Sequence, residues 1–359
     1  MSIVAEFSIE FIQYLDNEGK ITQDLPEFAK DPKKLLDLYR WMILVRTFDA
    51  KAVALQRTGK LGTFPASLGQ EAVSVGMGYA LRADDVFVPY YRDQGAMIMR
   101  GIKPSLILAY WGGDERGNDF NTAREDLSIC VPIATQFPQA AGIAYAIKLR
   151  KQPRAVLSII GDGGTSEGDF YEGINFAGLC KLPVVFIINN NQWAISVARS
   201  KQTATETLAQ KAIAAGFNGI QVDGNDIIAT SQVISQAMTK AREGGGPTLI
   251  EAITYRLCDH TTADDAKRYI SKEALAEAWT FEPLIRFKKY LTAQNVLTSE
   301  LEETIQAECN ESIAQAVDEY FNMPAQPTTA IIDYMYAKLP AAYQWQRDEI
   351  AGLTIPEGH

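Results

Sequence analysis

Two short apolar runs, residues 155–160 and 184–188, constrain the fold of this chain more than any other feature of the sequence. Both are rich in β-branched residues and almost continuously apolar, which is typical of strands that are buried on both faces of a sheet. A segment with helical periodicity, residues 170–180, lies between them and supplies the crossover that parallel strands need. These three segments together predict a βαβ unit.

The same alternation of strand and helix extends on both sides of this unit. Further strands are predicted at 86–88, 220–222 and 248–253, and further helices at 70–81, 205–216 and 227–242. Strands that alternate with helices form a parallel sheet with helices on both faces. The sequence therefore predicts an α/β fold with a doubly wound parallel sheet.

Helical segments flank the predicted sheet at both ends of the chain. Asp31 and Pro32 form a helix cap followed by proline at the first helical position, and the pattern from Lys272 onward is amphipathic. We therefore expect an acidic, loosely structured arm at 1–30, an α/β domain at 31–270, and a C-terminal helical region at 271–359 that packs on the same core.

Composition limits the possible partners and locations. Hydrophobic residues make up 47% of the chain and charged residues 22%, as in ordinary globular proteins. The net charge of −10 argues against nucleic acid or an anionic membrane surface as a partner. The four cysteines, Cys130, Cys180, Cys258 and Cys309, form no CxxC pair, so there is no zinc signature. We expect no membrane segment, and a location in the bacterial cytoplasm or an organelle matrix.

Two of the predicted strands end in unusual polar sequences. The first is followed by GDGGTSEGD at 161–169, and the second by NNNQWAIS at 189–196. Between Gly163 and Asn190 lie 26 residues, enough for one helical crossover. Ligands of open α/β sheets bind outside the carboxyl ends of the strands, so both sequences are expected at one site.

The residue types in these two sequences are suited to binding magnesium and a diphosphate. Gly161, Gly163 and Gly164 allow the backbone to turn tightly and approach an anion, and the following helix directs its free N–H groups at phosphate. Asp162 and Asn191 supply the hard oxygen ligands that magnesium prefers. The two sequences therefore predict a magnesium–diphosphate site.

Other interpretations of the glycine turn fit less well. A dinucleotide-binding fingerprint requires glycine or alanine where this chain has Ser166, and an acid near Asn189 to bind the ribose. A phosphate-binding P-loop requires a terminal Gly-Lys-Ser/Thr, which is absent. A purely structural glycine turn beside an asparagine-rich loop is the remaining alternative.

The paired sequences resemble the thiamine diphosphate motif of a known enzyme family. The sequences GDGGTSEGDFYEGINFAG, VDGND (222–226) and GPTLIEAITYR (246–256) are similar to those of the alpha subunits of pyruvate and branched-chain 2-oxo-acid dehydrogenases. The similarity extends from about Leu35 to Gln344. This resemblance implies the thiamine diphosphate-binding fold, with thiamine diphosphate and magnesium as cofactors.

The resemblance also implies roles for individual residues. Magnesium is expected to bind the side chains of Asp162 and Asn191 and the backbone carbonyl of Trp193. The other expected cofactor contacts are Tyr91, Arg92, Val131, Ile133, Gly161, Gly163, Gly164, Arg256 and His260. His260 is also the expected catalytic residue, because histidine exchanges protons near neutral pH and can bond a developing alkoxide.

The implied reaction requires partner proteins. The segment before Gly161 contains mostly predicted helix and one short strand, without a second sheet to bind the aminopyrimidine of the cofactor. The resemblance implies that catalysis needs a glutamate close to the aminopyrimidine, that a beta subunit supplies it in an α2β2 tetramer, and that a lipoyl-bearing acyltransferase accepts the acyl group. We expect oxidative decarboxylation of pyruvate. Branched-chain 2-oxo acids are the alternative substrates, and an acetoin dehydrogenase or a non-catalytic scaffold subunit is a more distant alternative.

Overall fold

The fold is known from a computed structural model, which describes residues 1–353. Its centre is a six-stranded sheet in which every neighbouring pair of strands is parallel. The strands are β1 (Glu10–Ile12), β2 (Val86–Val88), β3 (Val156–Gly161), β4 (Val184–Asn190), β7 (Gly219–Asp223) and β8 (Thr248–Ile253), and β5 (Trp193–Ala194) and β6 (Val197–Ala198) form a separate hairpin. The order across the sheet is β1-β7-β8-β4-β3-β2.

Helices precede, connect and follow the strands. They are α1 (Pro32–Arg57), α2 (Glu71–Ala80), α3 (Gln94–Met99), α4 (Pro104–Trp111), α5 (Gln136–Leu149), α6 (Gly168–Cys180), α7 (Arg199–Gln202), α8 (Lys211–Ala214), α9 (Ile227–Arg242), α10 (Lys272–Trp279), α11 (Pro283–Ala293), α12 (Ser299–Phe321), α13 (Ala330–Asp333) and α14 (Ala341–Ala351). Short 3-10 helices lie at Glu27–Lys30, Glu115–Asn118, Asp162–Ser166 and Ala266–Arg268. Within residues 1–353, every helix is too short or too polar to span a bilayer.

Helices cover both faces of the sheet, which confirms the predicted doubly wound fold. On one face, α5 and α6 pack against β3 and β4, where Phe137, Phe170 and Phe186 form part of a buried apolar cluster. Side chains alternate along a strand, so the other face of β4 is also buried, and α9 packs against β4, β7 and β8. The start of α9 belongs to a second cluster with α1, α2 and α11.

The predicted helix at 205–216 is wrong, because only Lys211–Ala214 is helical there. The N–H groups of Leu208 and Ala209 donate to Oε2 of Glu251 on β8, at 2.8 and 3.0 Å, instead of to helical carbonyls. Glu251 is buried, and its other carboxylate oxygen accepts from Asn190 at 2.7 Å. A contact with a distant strand therefore decides the local conformation.

The first thirty residues are more ordered than the loose arm expected from the sequence. Glu10–Ile12 pairs in parallel with β7 at the edge of the sheet, and Leu15 is fully buried. One carboxylate oxygen of Asp226 accepts from the N–H groups of Tyr14 and Leu15, both at 2.7 Å. Its other oxygen caps α9 by accepting from Ile228 and Ala229. Asp226 therefore fastens the arm to the sheet domain.

The chain forms two compact units, Met1–Val317 and the residues from Asp318 onward. In the second unit, Arg347 pairs with Asp333, and the rings of Tyr336 and Tyr343 stack with centroids 5.7 Å apart. The division of the chain at residues 30 and 270 stays a prediction. Residues 354–359 of the predicted C-terminal region lie outside the described residues.

Replacing Asp226 with Ala is expected to lower the free energy of unfolding by roughly 2–4 kcal/mol, because buried N–H groups lose their shared acceptor. The matched control is Asp31→Ala. Asp31 also caps a helix, but it accepts one bond, from Lys33 at 2.9 Å, so a loss of about 1 kcal/mol is expected. Urea denaturation of the purified chain measures both values. Equal losses would contradict the anchoring of the arm by Asp226.

Candidate active site

A cavity of about 210 Å³ lies at the carboxyl ends of β3 and β4. The parallel register pairs Gly161, the last residue of β3, with Asn189 near the end of β4, so the two polar sequences meet at this edge. The cavity is lined by Tyr90, Tyr91, Arg92, Ile133, Ala134, Gln136, Ile160, Gly161, Asp162, Gly163, Gly164, Glu167, Asn191, Trp193, Ala194, Ile195 and His260.

All but two of the predicted site residues line this cavity. The exceptions are Val131, which is 47% exposed, and Arg256, which is fully buried. Arg256 lies behind the wall and donates to the backbone carbonyls of Trp193, at 3.4 Å, and Ile195, at 2.7 Å. It therefore supports the hairpin β5–β6, whose first residue was the expected carbonyl ligand of magnesium.

Asp162 has the environment of a carboxylate that lacks its partner. It is 1% exposed, and neither carboxylate oxygen has a hydrogen-bond partner within the described part of the chain. Burial raises its pKa to about 6. A buried, unpaired carboxylate is unfavourable by itself, and a bound cation would remove that penalty.

Asn191 lies beside Asp162 with its amide held at both ends. Its Nδ2 donates to Oε1 of Gln70 at 2.9 Å, and its Oδ1 accepts from the N–H group of Trp193 at 3.2 Å. Among residues 1–353 there is no group of three or more His, Cys, Asp or Glu side chains that could hold a metal ion. A metal at this edge would therefore depend on one carboxylate, an amide oxygen, a backbone carbonyl and the oxygens of a bound ligand.

The glycines after β3 are required by close packing. Asp162–Ser166 forms a 3-10 helix before α6 begins at Gly168. A Cβ at Gly163 would lie 2.8 Å from the Cβ of Ala194, and one at Gly164 would lie 3.0 Å from Cδ1 of Ile160. Neither glycine has a positive φ, so the turn needs small residues for space and not for a left-handed backbone.

A buried lysine, Lys211, forms hydrogen bonds with the glycine turn. Nζ of Lys211 donates to the carbonyl and hydroxyl oxygens of Thr165, at 2.7 and 3.0 Å, and the hydroxyl of Thr165 donates to the carbonyl of Asp162 at 2.8 Å. Lys211 also lies over the rings of Phe170 and Tyr171. Nothing in the sequence around Lys211 indicated this role, because the contact joins two distant segments.

His260 lies between two arginines. Its Nδ1 is 3.3 Å from a guanidinium nitrogen of Arg92 and 3.3 Å from one of Arg256. Arginine only donates hydrogen bonds, so Nδ1 must accept and Nε2 carries the proton. Burial, with Arg92 and Arg256, lowers the pKa of His260 to about 3. In the free chain His260 is therefore neutral, with Nε2 as its donor, and its role as the catalytic residue stays a prediction.

Comparison with known proteins places the chain in one family. Residues 39–328 match the family model described as Dehydrogenase E1 component. The chain is 39% identical over 334 residues to the pyruvate dehydrogenase E1 component subunit alpha of Staphylococcus epidermidis (strain ATCC 12228), covering 92% of this chain and 90% of that protein. It is 40% identical, with the same coverage, to the protein of that name from Staphylococcus aureus (strain COL).

The chain belongs to the dehydrogenase E1 component family. Membership confirms the reaction class expected from the sequence, a thiamine diphosphate-dependent 2-oxo-acid dehydrogenase. The cavity of this E1 component fits the anionic end of that cofactor. Arg92 is 2% exposed and makes no ion pair with a described carboxylate. Its terminal nitrogens donate to the backbone carbonyls of Ala66 and His260, and its Nε has no hydrogen-bond partner in the described chain. An unpaired buried cation beside the glycine turn is suited to bind a diphosphate.

Besides Lys211, three features of this E1 site were missed at the level of sequence. Gln70 contacts Asn191 from the start of α2, although it does not line the cavity. Ile195 lines the cavity with a φ of 54°, which is unusual for a β-branched residue and marks local strain. Glu167 lies exposed at the same cavity. Ile195 and Glu167 had a usable signal, because both lie within the two polar sequences that follow β4 and β3.

Asp162→Asn is expected to stabilise this E1 chain, without cofactor, by roughly 1–3 kcal/mol above pH 6. The folded carboxyl ionises at about pH 6 and the unfolded one near its ordinary pKa of 3.8, so the wild type loses stability as pH rises between these values. The variant lacks this loss, and the difference should vanish near pH 4.

Urea unfolding at several pH values measures this difference. Asp37→Asn, which changes an exposed carboxylate on α1, is the control and should reproduce the wild-type pH dependence. If Asp162→Asn also retains it, the buried carboxyl is not the source of the pH dependence.

The imidazole of His260 is expected not to titrate between about pH 5 and pH 8 in the free chain, because burial and two arginines keep it neutral. Nitrogen NMR should show a protonated Nε2 and an unprotonated Nδ1. The chain has two histidines, so His260→Asn assigns the signal. A midpoint near 6.5 for His260 would contradict the arginine contacts.

Proposed function

We propose that this chain is the alpha subunit of a pyruvate dehydrogenase E1 component. With a beta subunit it catalyses oxidative decarboxylation of pyruvate and transfer of the acetyl group to lipoyl groups. The observation that carries the proposal is one cavity in a member of this family, lined by Asp162 without hydrogen-bond partners, by Asn191, and by Arg92 with an unpartnered Nε in the described chain. The names of the relatives favour pyruvate over branched-chain 2-oxo acids.

Magnesium is part of this proposal. The carboxylate of Asp162, Oδ1 of Asn191 and the carbonyl of Trp193 would hold it, and the buried carboxylate without a partner supports this ligand set. Magnesium accepts hard oxygen ligands and is commonly bound by few protein groups together with phosphates. Arg256 donates to the Trp193 carbonyl, so the guanidinium keeps this backbone segment in place.

The other residues bind and orient the cofactor and substrate. Thiamine diphosphate, when bound, supplies the carbanion chemistry of decarboxylation. Arg92 and Tyr91 would bind the diphosphate, and the exposed Val131 and Ile133 would contact the aminopyrimidine end. His260 would donate from Nε2 to an oxygen of the reacting group, because its Nδ1 is occupied by two arginines. In this proposal His260 therefore stabilises negative charge and does not act as the first base.

The proposed partners follow from what the cavity lacks. Asp162 is its one buried carboxylate and is assigned to magnesium, and Glu167, the other carboxylate of the lining, is exposed. This supports an acid from another chain as the group that activates the aminopyrimidine. We assign this acid to a beta subunit in an α2β2 tetramer. A lipoyl-bearing acyltransferase component would accept the acyl group.

The proposal predicts that the isolated chain decarboxylates pyruvate negligibly, and that mixing it with the cognate beta subunit produces activity. An artificial electron acceptor reports decarboxylation, and acetylation of a lipoyl domain reports transfer. We expect kcat/KM for pyruvate to exceed that for a branched-chain 2-oxo acid by at least about tenfold, because the larger side chain must fit the same pocket.

Asp162→Ala tests the proposed magnesium ligand, and Asp37→Ala, on the exposed face of α1, is its control. The first should abolish magnesium-dependent activity of the assembled enzyme, and the second should leave it intact. Turnover near ~1 s⁻¹ by the isolated chain would show a complete site in one subunit. Preference for the branched-chain acid would overturn the substrate assignment alone.

A further inference from the structure

We propose that Gln70 is a positioning residue that determines which end of the Asn191 amide faces the metal. This inference rests on the proposed function, because it concerns the ligand set assigned there to magnesium. Gln70 is 1% exposed, lies at the N-cap position of α2 and does not line the cavity. It acts on the site through Asn191, which it contacts across 121 positions of sequence.

The orientation of Asn191 matters because the two ends of an amide are not equivalent. The oxygen has lone pairs that can bind a cation, whereas the NH2 group only donates hydrogen bonds. Rotation of an asparagine side chain about its last torsion exchanges the two ends, and that torsion has broad preferences. A magnesium ligand of this kind therefore needs a neighbour that distinguishes oxygen from nitrogen.

Gln70 makes this distinction through a single oxygen. Its Oε1 accepts from Nδ2 of Asn191 at 2.9 Å and from Nδ2 of Asn189 at 3.1 Å. If Asn191 rotated, its oxygen would face Oε1 of Gln70, and its NH2 group would face the N–H group of Trp193 that now donates to it. Both hydrogen bonds would be replaced by repulsive pairs in a buried place, where an unsatisfied group costs about 1–3 kcal/mol.

The orientation of Gln70 follows from its two asparagine neighbours. The backbone N–H of Trp193 can only donate, so it holds Oδ1 of Asn191 and leaves the NH2 group of Asn191 for Gln70. The hydroxyl of Thr254 donates to Oδ1 of Asn189 at 2.7 Å, and in this arrangement Asn189 also directs its NH2 group at Gln70. Facing two NH2 groups, Gln70 must present its oxygen. Its own Nε2 has no partner in the described chain, so within that chain the two bonds to Oε1 are the hydrogen bonds that hold this amide.

These contacts form a hydrogen-bonded relay from Thr254 through Asn189 and Gln70 to Asn191. All four residues are at most 5% exposed, so water does not compete for the amide groups. Thr254, Asn189 and Gln70 lie outside the cavity lining. The relay therefore explains why two separate asparagines of the cluster are used, one as a ligand and one to orient the glutamine.

The test uses the enzyme assembled with its beta subunit and compares two pairs of variants. Gln70→Met removes the acceptor at similar length, whereas Gln70→Glu keeps an acceptor oxygen. Thr254→Val removes the hydroxyl at equal size, whereas Thr254→Ser keeps it. Calorimetry measures magnesium affinity at saturating thiamine diphosphate, and in parallel thiamine diphosphate affinity with a chelator present.

We expect Gln70→Met to weaken magnesium binding roughly 10–100-fold, the usual effect of losing a partner that orients a metal ligand. Thr254→Val should weaken it in the same direction but less, because Asn189 and Gln70 still contact each other. Gln70→Glu and Thr254→Ser should bind magnesium about as tightly as the wild type. Metal-free cofactor affinity should be unchanged in all four variants, which a general disturbance of the fold would not allow.

The outcomes separate this inference from the proposed function. If the wild-type complex does not bind magnesium with thiamine diphosphate, the proposed function is overturned. If the wild type binds both and Gln70→Met binds magnesium equally well, the positioning role is overturned and the function stands. If Gln70→Met does not assemble, the Thr254 pair decides, because equal magnesium affinity of the Val and Ser variants would overturn the relay.

Discussion

The parallel pairing of β3 with β4 is the contact on which the rest of the site depends. The register that sets Gly161 opposite Asn189 brings the glycine turn and the asparagine cluster to one edge of the sheet. A register shift of one residue would reverse the faces of every side chain on β4. Because both faces are packed with apolar side chains from α5, α6 and α9, such a shift is strongly unfavourable. The hydrophobic core thus determines the spacing of the polar residues at its edge.

The polar groups at this edge are suited to a bound ligand, and they lower the stability of the chain when no ligand is bound. Asp162 and the Nε of Arg92 are buried without hydrogen-bond partners in the described structure, and such groups lower stability. The surrounding residues make hydrogen bonds with one another. Lys211 donates to the carbonyl of Thr165 in the glycine turn, and Gln70 accepts from the amides of Asn189 and Asn191. Asp162 and Arg92 both line the cavity, as expected for a site completed by an ion and a diphosphate, whereas other buried atoms without a partner, such as Nε2 of Gln70, lie outside it.

The two arginines beside His260 change what that histidine can do. An exposed imidazole with one carboxylate neighbour would become charged near neutral pH, whereas burial, together with two neighbouring cations, lowers the pKa of His260 and keeps it neutral. Its neutral state is compatible with donation from Nε2, and Asp264 holds the loop by accepting from the N–H group of His260 at 2.9 Å. The histidine side chain by itself suggested proton exchange, but its arginine neighbours engage Nδ1 and leave Nε2 as the hydrogen-bond donor.

Local patterns in the sequence predicted strands β2, β3, β4, β7 and β8, helices α1, α2, α6 and α9, and the cap of α1, because apolar periodicity and caps are readable along the chain. Two motifs one crossover apart predicted that Asp162 and Asn191 belong to one site, and the other expected cavity residues came from the resemblance to a known family. The tertiary structure alone decided the irregular backbone before α8, the pairing of β1 with β7, the pKa of His260 and the contact of Gln70 with Asn191. Each of these depends on groups brought together from distant positions, and burial there makes a single hydrogen bond or charge decisive.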